Sequence, residues 1–132
     1  MIALDSSALV AMILEEPGWE LLDQIVAENR CIIGAPTLLE THMVLSSFPG
    51  IDRFAAITDL QLYATIDIVP FGSQHLEAAR TAFERYGKGR NPHSALNYGD
   101  CLSYAVAKVE GIPLLFKGRD FLATDIEPAV SL

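Results

Sequence analysis

Four acidic residues, Asp5, Glu40, Asp100 and Asp120, lie at or just past strand-like runs or near the starts of helix-like ones. A single acid in such a place usually caps a helix. Four from distant segments, gathered at one edge of a sheet, form a like-charged cluster that is unstable without a cation or a shared proton. Mg2+ prefers octahedral oxygen ligation and keeps several waters, so a few carboxylates suffice to hold it. The chemistry these residue types point to is metal-assisted attack on a phosphodiester.

Each acid also has a plain structural reading. Asp5 ends the apolar run Ile2-Ala3-Leu4, where Ser6 and Ser7 could equally cap the helix that follows, through Ala8–Glu15. Glu40 has Met43 and Val44 three and four residues on, which places its carboxylate on or beside an apolar helix stripe. That position is costly unless the charge is paired or metal-bound, and a salt bridge to an arginine is the competing account. Asp100 falls in the first turn of a helix, where a negative charge gains roughly 0.3–1 kcal/mol from the helix dipole. Asp120 follows Leu114–Phe116 through the turn-like Lys117-Gly118-Arg119, and by itself would be an ordinary loop acid.

Positioning these acids requires short strands alternating with helices. After the first helix, Pro17 opens a second, with Trp19, Leu22, Ile25 and Val26 at helical spacing. Cys31-Ile32-Ile33 reads as a buried strand, and Pro36 starts a helix to about Ser47. A helix from about Asp52 to Ala64, a strand at Ile66–Pro70 and a helix over Ser73–Tyr86 follow. A polar loop of Gly, Asn and Pro then leads to a helix from Gly99-Asp100 to Gly111, a strand at Pro113–Phe116 and a short final strand around Ile126. This order implies an α/β fold with a mainly parallel sheet covered on both faces. In such sheets ligands bind beyond the carboxyl ends of the strands, where Asp5 and Asp120 stand.

At 132 residues the chain has the length of one domain, and 51% apolar with 20% charged residues is globular composition. A mean hydropathy of +0.30 leaves apolar surface for a partner to cover. Cys31 and Cys101 are 70 positions apart and read as buried small hydrophobes in a reducing compartment. His42, His75 and His93 have no ligand spacing. The N-terminus has no basic stretch ahead of its apolar residues, and no apolar run is long enough to span a membrane, so a cytoplasmic protein is expected. A net charge of −8 excludes a generic nucleic-acid-coating protein. The charge is uneven, however. Arg80, Arg85, Lys88 and Arg90 face only Glu84 in their window, which is +3 and leaves −11 for the rest.

The segments IALDSSALVA, PTLLETHMVL, YGKGRNPHSALNYGDCLSYAVA and LLFKGRDF together resemble the PIN-domain ribonucleases, above all the VapC-type toxins of bacterial toxin–antitoxin pairs. ALNYGDCLSYA is the most specific of them. The resemblance implies a three-layer α/β/α PIN-like domain over residues 1–132, cleaving RNA at an acidic Mg2+ or Mn2+ site. It assigns catalysis to Asp5, Glu40, Asp100 and Asp120, with Asp5 and Asp100 holding the metal. Ser7 and Asn97 would support the metal or a phosphate. Arg80, Arg85, Lys88 and Arg90 would then carry the RNA backbone. A homodimer and a small antitoxin are also implied, the antitoxin in an apolar groove around Trp19, Leu22 and the Pro36 helix.

Two rival readings predict other outcomes. Phosphatases of the haloacid dehalogenase type need a second aspartate two positions after the first, but position 7 is serine. A catalytically silent PIN-like module would bind RNA or protein without metal-dependent turnover.

Overall fold

A computed structural model describes residues 1–130. Strands β1 (Ile2–Leu4), β2 (Cys31–Gly34), β3 (Ile66–Val69) and β4 (Leu114–Leu115) form one parallel sheet in the order β3-β2-β1-β4. Helices α1 (Ser6–Ile13), α2 (Trp19–Glu28), α3 (Ala35–Leu45), α4 (Arg53–Tyr63), α5 (Ser73–Tyr86) and α6 (Tyr98–Glu110) connect and cover it. Successive strand residues point to opposite faces. Ile2, Leu4, Cys31 and Ile33 therefore enter one core with Leu9, Met12 and Leu22, while Ala3, Ile32 and Leu114 enter the other with Ala82, Tyr104 and Val106. The expected three layers are present.

Helix α6 is the central pillar. Every residue from Gly99 to Ala107 is buried, because the helix packs against β1, β2 and β4 as well as α3 and α5. A helix enclosed on all sides needs small residues where neighbours come close, and Gly99, Ser103, Ala105 and Ala107 supply them.

The observed elements depart from the sequence reading in four places. Asp5 itself caps α1, and Ser6 and Ser7 are the first residues of the helix. Pro17 does not open α2. The turn needs left-handed backbone at Glu15 (φ 52°) and Gly18 (φ 90°), so Gly18 becomes the entry residue and Pro17 stays in the turn. Ile126 is a buried core residue and not part of a strand. Among the described residues the segment after Ile126 meets β4 through a single bridge between Leu114 and Pro128, a residue without an N–H to extend a ladder. Lastly, Met43 and Val44 are 61% and 41% exposed, so the stripe beside Glu40 is surface and not core. No helix among the described residues is long and apolar enough to cross a membrane.

Candidate active site

Two adjacent strands, β1 inside the sheet and β4 at its edge, bring the first and last acids to one end of the sheet. β1 and β4 are neighbours, and the Asp5 N–H donates to the Leu115 carbonyl (3.0 Å). Asp5 is only 3% exposed. Its Oδ2 accepts from the Ser7 backbone N–H (3.1 Å) and the Ser7 hydroxyl (2.6 Å), and its Oδ1 accepts from the Ser103 hydroxyl. Ser7 Oγ in turn accepts from the Lys117 N–H (3.0 Å), which ties the segment leading to Asp120 onto the start of α1. The helix cap and the site are therefore the same carboxylate.

Asp100 arrives on the first turn of α6. Its N–H donates to Asn97 Oδ1 (2.9 Å), and its Oδ2 accepts from the Asn97 N–H (3.1 Å). This reciprocal capping box fixes the carboxylate, and Asn97 acts through it. Burial is the main force on Asp100, pushing its pKa up to about 7; the charges of Asp5 and Asp120 and a hydrogen bond with Asp120 add to this, against the Asn97 backbone hydrogen bond. Asp120 is exposed, beside Asp100.

Glu40 reaches the same place from α3. A Cβ on residue 99 would stand 2.0 Å from Glu40 Oε2 and 2.7 Å from Cδ, so only glycine lets this carboxylate lie against the first turn of α6. Burial holds the Glu40 pKa above the usual carboxylate range; the Asp5 charge reinforces this and a Ser6 hydrogen bond opposes it. Glu40 Oε1 is buried with no hydrogen-bond partner. The expected competitor, a salt bridge from arginine to Glu40, is absent among the described residues.

An orphaned buried carboxylate oxygen and an acid pushed towards neutrality by burial and by two other carboxylates are the signs of a site that gains from a cation. Among the described residues, no group of three His, Cys, Asp or Glu side chains is arranged to hold a metal ion on its own. The donors near Asp100 are carboxylate oxygens, the hard ligands that an ion such as Mg2+ takes, and such an ion needs few of them because it keeps its waters.

The basic residues are divided. Arg80, Arg85 and Lys88 line a groove of about 880 Å3 between α5 and α6, together with Asn97 and Tyr98 from the first turn that carries Asp100. Arg80 is paired with Glu77 (3.0 Å) on the exposed surface. Arg90 does not line the groove; it pairs with Glu84 and lies over the Phe83 ring at 4.8 Å. Tyr98 is 81% exposed and also borders a smaller hollow that contains Glu40. Of the apolar groove expected around Trp19, Leu22 and the Pro36 helix, Leu22 is buried in the core with α1, while Pro36, Leu39 and Met43 of α3 border the smaller hollow.

Two of the histidines are engaged by other partners. His42 accepts from Arg53 (3.0 Å) and meets Phe54 edge-on, and His75 Nδ1 accepts from the Gly72 N–H (2.9 Å). Both cysteines are free and buried, with burial pushing the Cys31 thiol up to about 11. Three residues here were not read from the sequence as parts of the site: Ser6, taken only as a possible cap, Gly99, taken only as a helix start, and Ser103. Ser103 follows Asp100 by three positions and so shares its helix face. A small polar residue in an alanine-rich helix otherwise reads as packing.

A PIN-domain family pattern matches residues 2–127. Over 125 residues the chain is 45% identical to "Ribonuclease VapC" of Mycolicibacterium smegmatis, spanning 93% of this chain and 95% of that one. It is 43% identical to "Ribonuclease VapC30" of Mycobacterium tuberculosis over the same length, spanning 93% and 94%. In fold it is similar to the crystal structure of M. tuberculosis VapC20, described as a sarcin–ricin loop cleaving toxin, with a TM-score of 0.72, 17% identity and 96% of each chain covered. A toxin–antitoxin complex from Klebsiella pneumoniae aligns at a TM-score of 0.70 and 15% identity, covering 95% of this chain and 93% of that one. With its acids assembled from β1, α3, α6 and the segment after β4, the chain belongs to the PIN-domain family, among the VapC proteins.

Proposed function

We propose that this chain is an endoribonuclease, the toxin of a toxin–antitoxin pair. As a single nuclease domain it hydrolyses RNA phosphodiester bonds with Mg2+ or Mn2+ at Asp5, Glu40, Asp100 and Asp120. The observation that carries the reading is the convergence of these four acids at one sheet end, with Glu40 Oε1 orphaned and Asp100 held near neutrality. The VapC relatives named as ribonucleases support the choice of RNA.

Asp5 and Asp100 would hold the ion, with Glu40 and Asp120 beside it. When bound, such an ion polarises the phosphate and makes a water acidic enough to attack at neutral pH. The chain's own residues do the rest. Ser7 and the Asn97 capping box fix the two ligand carboxylates. Glu40 Oε1, without a partner, is the atom free to accept the proton of the attacking water. Attack at phosphorus breaks the P–O3′ bond and leaves a 5′-phosphate and a 3′-hydroxyl. Arg85 and Lys88 draw the RNA backbone towards a site that would otherwise repel it, and Tyr98 offers a face for an unpaired base.

The antitoxin and a second copy are the partners we expect. The exposed Leu39, Met43, Phe54, Leu62 and Tyr63 on α3 and α4 provide apolar surface of the kind partners bury. The test is cleavage of end-labelled total RNA by the purified, antitoxin-free chain with Mg2+, with Mn2+ and with EDTA, beside Asp5→Asn. Discrete metal-dependent products, lost in the variant, are expected. Cleavage that persists in EDTA would overturn the reading.

A further inference from the structure

We infer that Ser103 is a positioning residue of the carboxylate site, the group that fixes Asp5 Oδ1 and locks it to the helix carrying Asp100. The inference rests on the reading that Asp5 holds a divalent metal. Ser103 lies in the middle of α6 and is 1% exposed. A serine there ordinarily returns its hydroxyl to the carbonyl four residues back. This one donates instead to Asp5, 98 positions away. Other tight positions on the same helix are occupied by Ala105 and Ala107, so packing alone does not call for a hydroxyl.

The geometry gives the hydroxyl a task. Ser7, which clamps Oδ2, belongs to the same local segment as Asp5 and moves with it. Among the described hydrogen bonds, Oδ1 is held by Ser103 alone. Without it the carboxylate is held at Oδ2 alone, by Ser7, and its broad terminal torsion is less restrained. With it, both expected ligands are referred to one rigid element, since Asp100 is boxed at the N-terminus of α6 and Ser103 lies one turn further along. Each carboxylate oxygen has two lone pairs, so Oδ1 can accept from Ser103 and still ligate. Partners of this kind, behind the ligands themselves, typically alter metal affinity or activity by 10–100-fold.

The experiment is a calorimetric Mn2+ titration of the full-length, antitoxin-free protein as wild type, Ser103→Ala and Ser103→Thr, with melting in EDTA and steady-state RNA cleavage. Ser103→Ala should melt cooperatively in EDTA yet bind Mn2+ roughly 10–100-fold more weakly. Its kcat should fall with little change in KM for RNA, and Ser103→Thr, which keeps the hydroxyl, should restore most of both. A Ser103→Ala protein that binds Mn2+ like wild type overturns the positioning role and leaves the proposed site standing, even if it melts earlier. Wild-type protein that binds no Mn2+ overturns both.

Discussion

Replacing Gly99 by alanine separates activity from stability in a way that depends on one contact. The new Cβ would stand 2.0 Å from Glu40 Oε2, 2.7 Å from Cδ and 2.9 Å from Oε1. Heavy atoms rest at about 3.5–4.0 Å, so the carboxylate must retreat by well over 1 Å. It is the end of a flexible side chain on a half-buried residue, so it can swing away without moving either helix. Alanine in place of a helical glycine also removes a penalty of roughly 0.5–1 kcal/mol. Stability in EDTA should therefore hold or rise slightly. Activity should fall about 100-fold, the cost that a misplacement of about 1 Å can carry at a reacting centre. Single-turnover cleavage of end-labelled RNA in Mn2+, beside thermal melting in EDTA, reads both. Glu40→Asp, one methylene shorter, relieves the clash, so Gly99→Ala should do little further harm in that background. Gly99→Ala cleaving at the wild-type rate would show that Glu40 has no role at this position.

Further outcomes follow from the same geometry. Asp5→Asn and Asp100→Asn should each lower cleavage by more than roughly 100-fold, the upper end for residues that only support a ligand, while circular dichroism stays native. Arg85→Glu with Lys88→Glu should weaken RNA binding and reduce the slope of log affinity against log salt by about 1.4, the expectation for two lost single-strand phosphate contacts. An unchanged slope would return these cations to the solvated surface. Folded Asp100 binds its proton more tightly, with a pKa near 7, than the unfolded chain does, and Glu40 is shifted in the same direction. Their contribution to metal-free stability is thus fully present below the unfolded value and is lost as pH rises through the folded one. Melting in EDTA should be higher at pH 5 than at pH 8, and saturating Mn2+ should close that gap; higher metal-free stability at pH 8 would contradict the burial of Asp100.

Much of the architecture was readable from local chemistry. The helix over Ser73–Tyr86 matched to the residue, because its apolar periodicity is strong and Gly87 ends it. The strands β1, β2 and β4 sat where short apolar runs did, since a strand covered on both faces must be apolar throughout, whereas the edge strand β3 carries the exposed Asp67 and Ile68. The turn at Pro17-Gly18 was misread because proline signals a helix start in general, while the left-handed backbone needed at Gly18 depends on how α1 and α2 pack. The places of Asp5, Asp100 and Asp120 at strand ends and a helix start were legible too, while Glu40 stands in the middle of α3 and was singled out by its neighbours and by the resemblance.

What periodicity, caps and motif spacing settled was which segments become strands and helices and which acids stand at their ends, all of it encoded within a few residues. Which groups touch was decided by the assembled chain. Glu40 depends on the missing Cβ of Gly99, 59 positions away, and Asp5 on the hydroxyl of Ser103, 98 positions away. The basic cluster was split by side-chain geometry, with Arg85 and Lys88 on the groove and Arg90 turned onto Phe83 and Glu84. Such contacts follow from the parallel crossovers that place β4 beside β1 and α6 across the sheet, and that ordering is a property of the whole core.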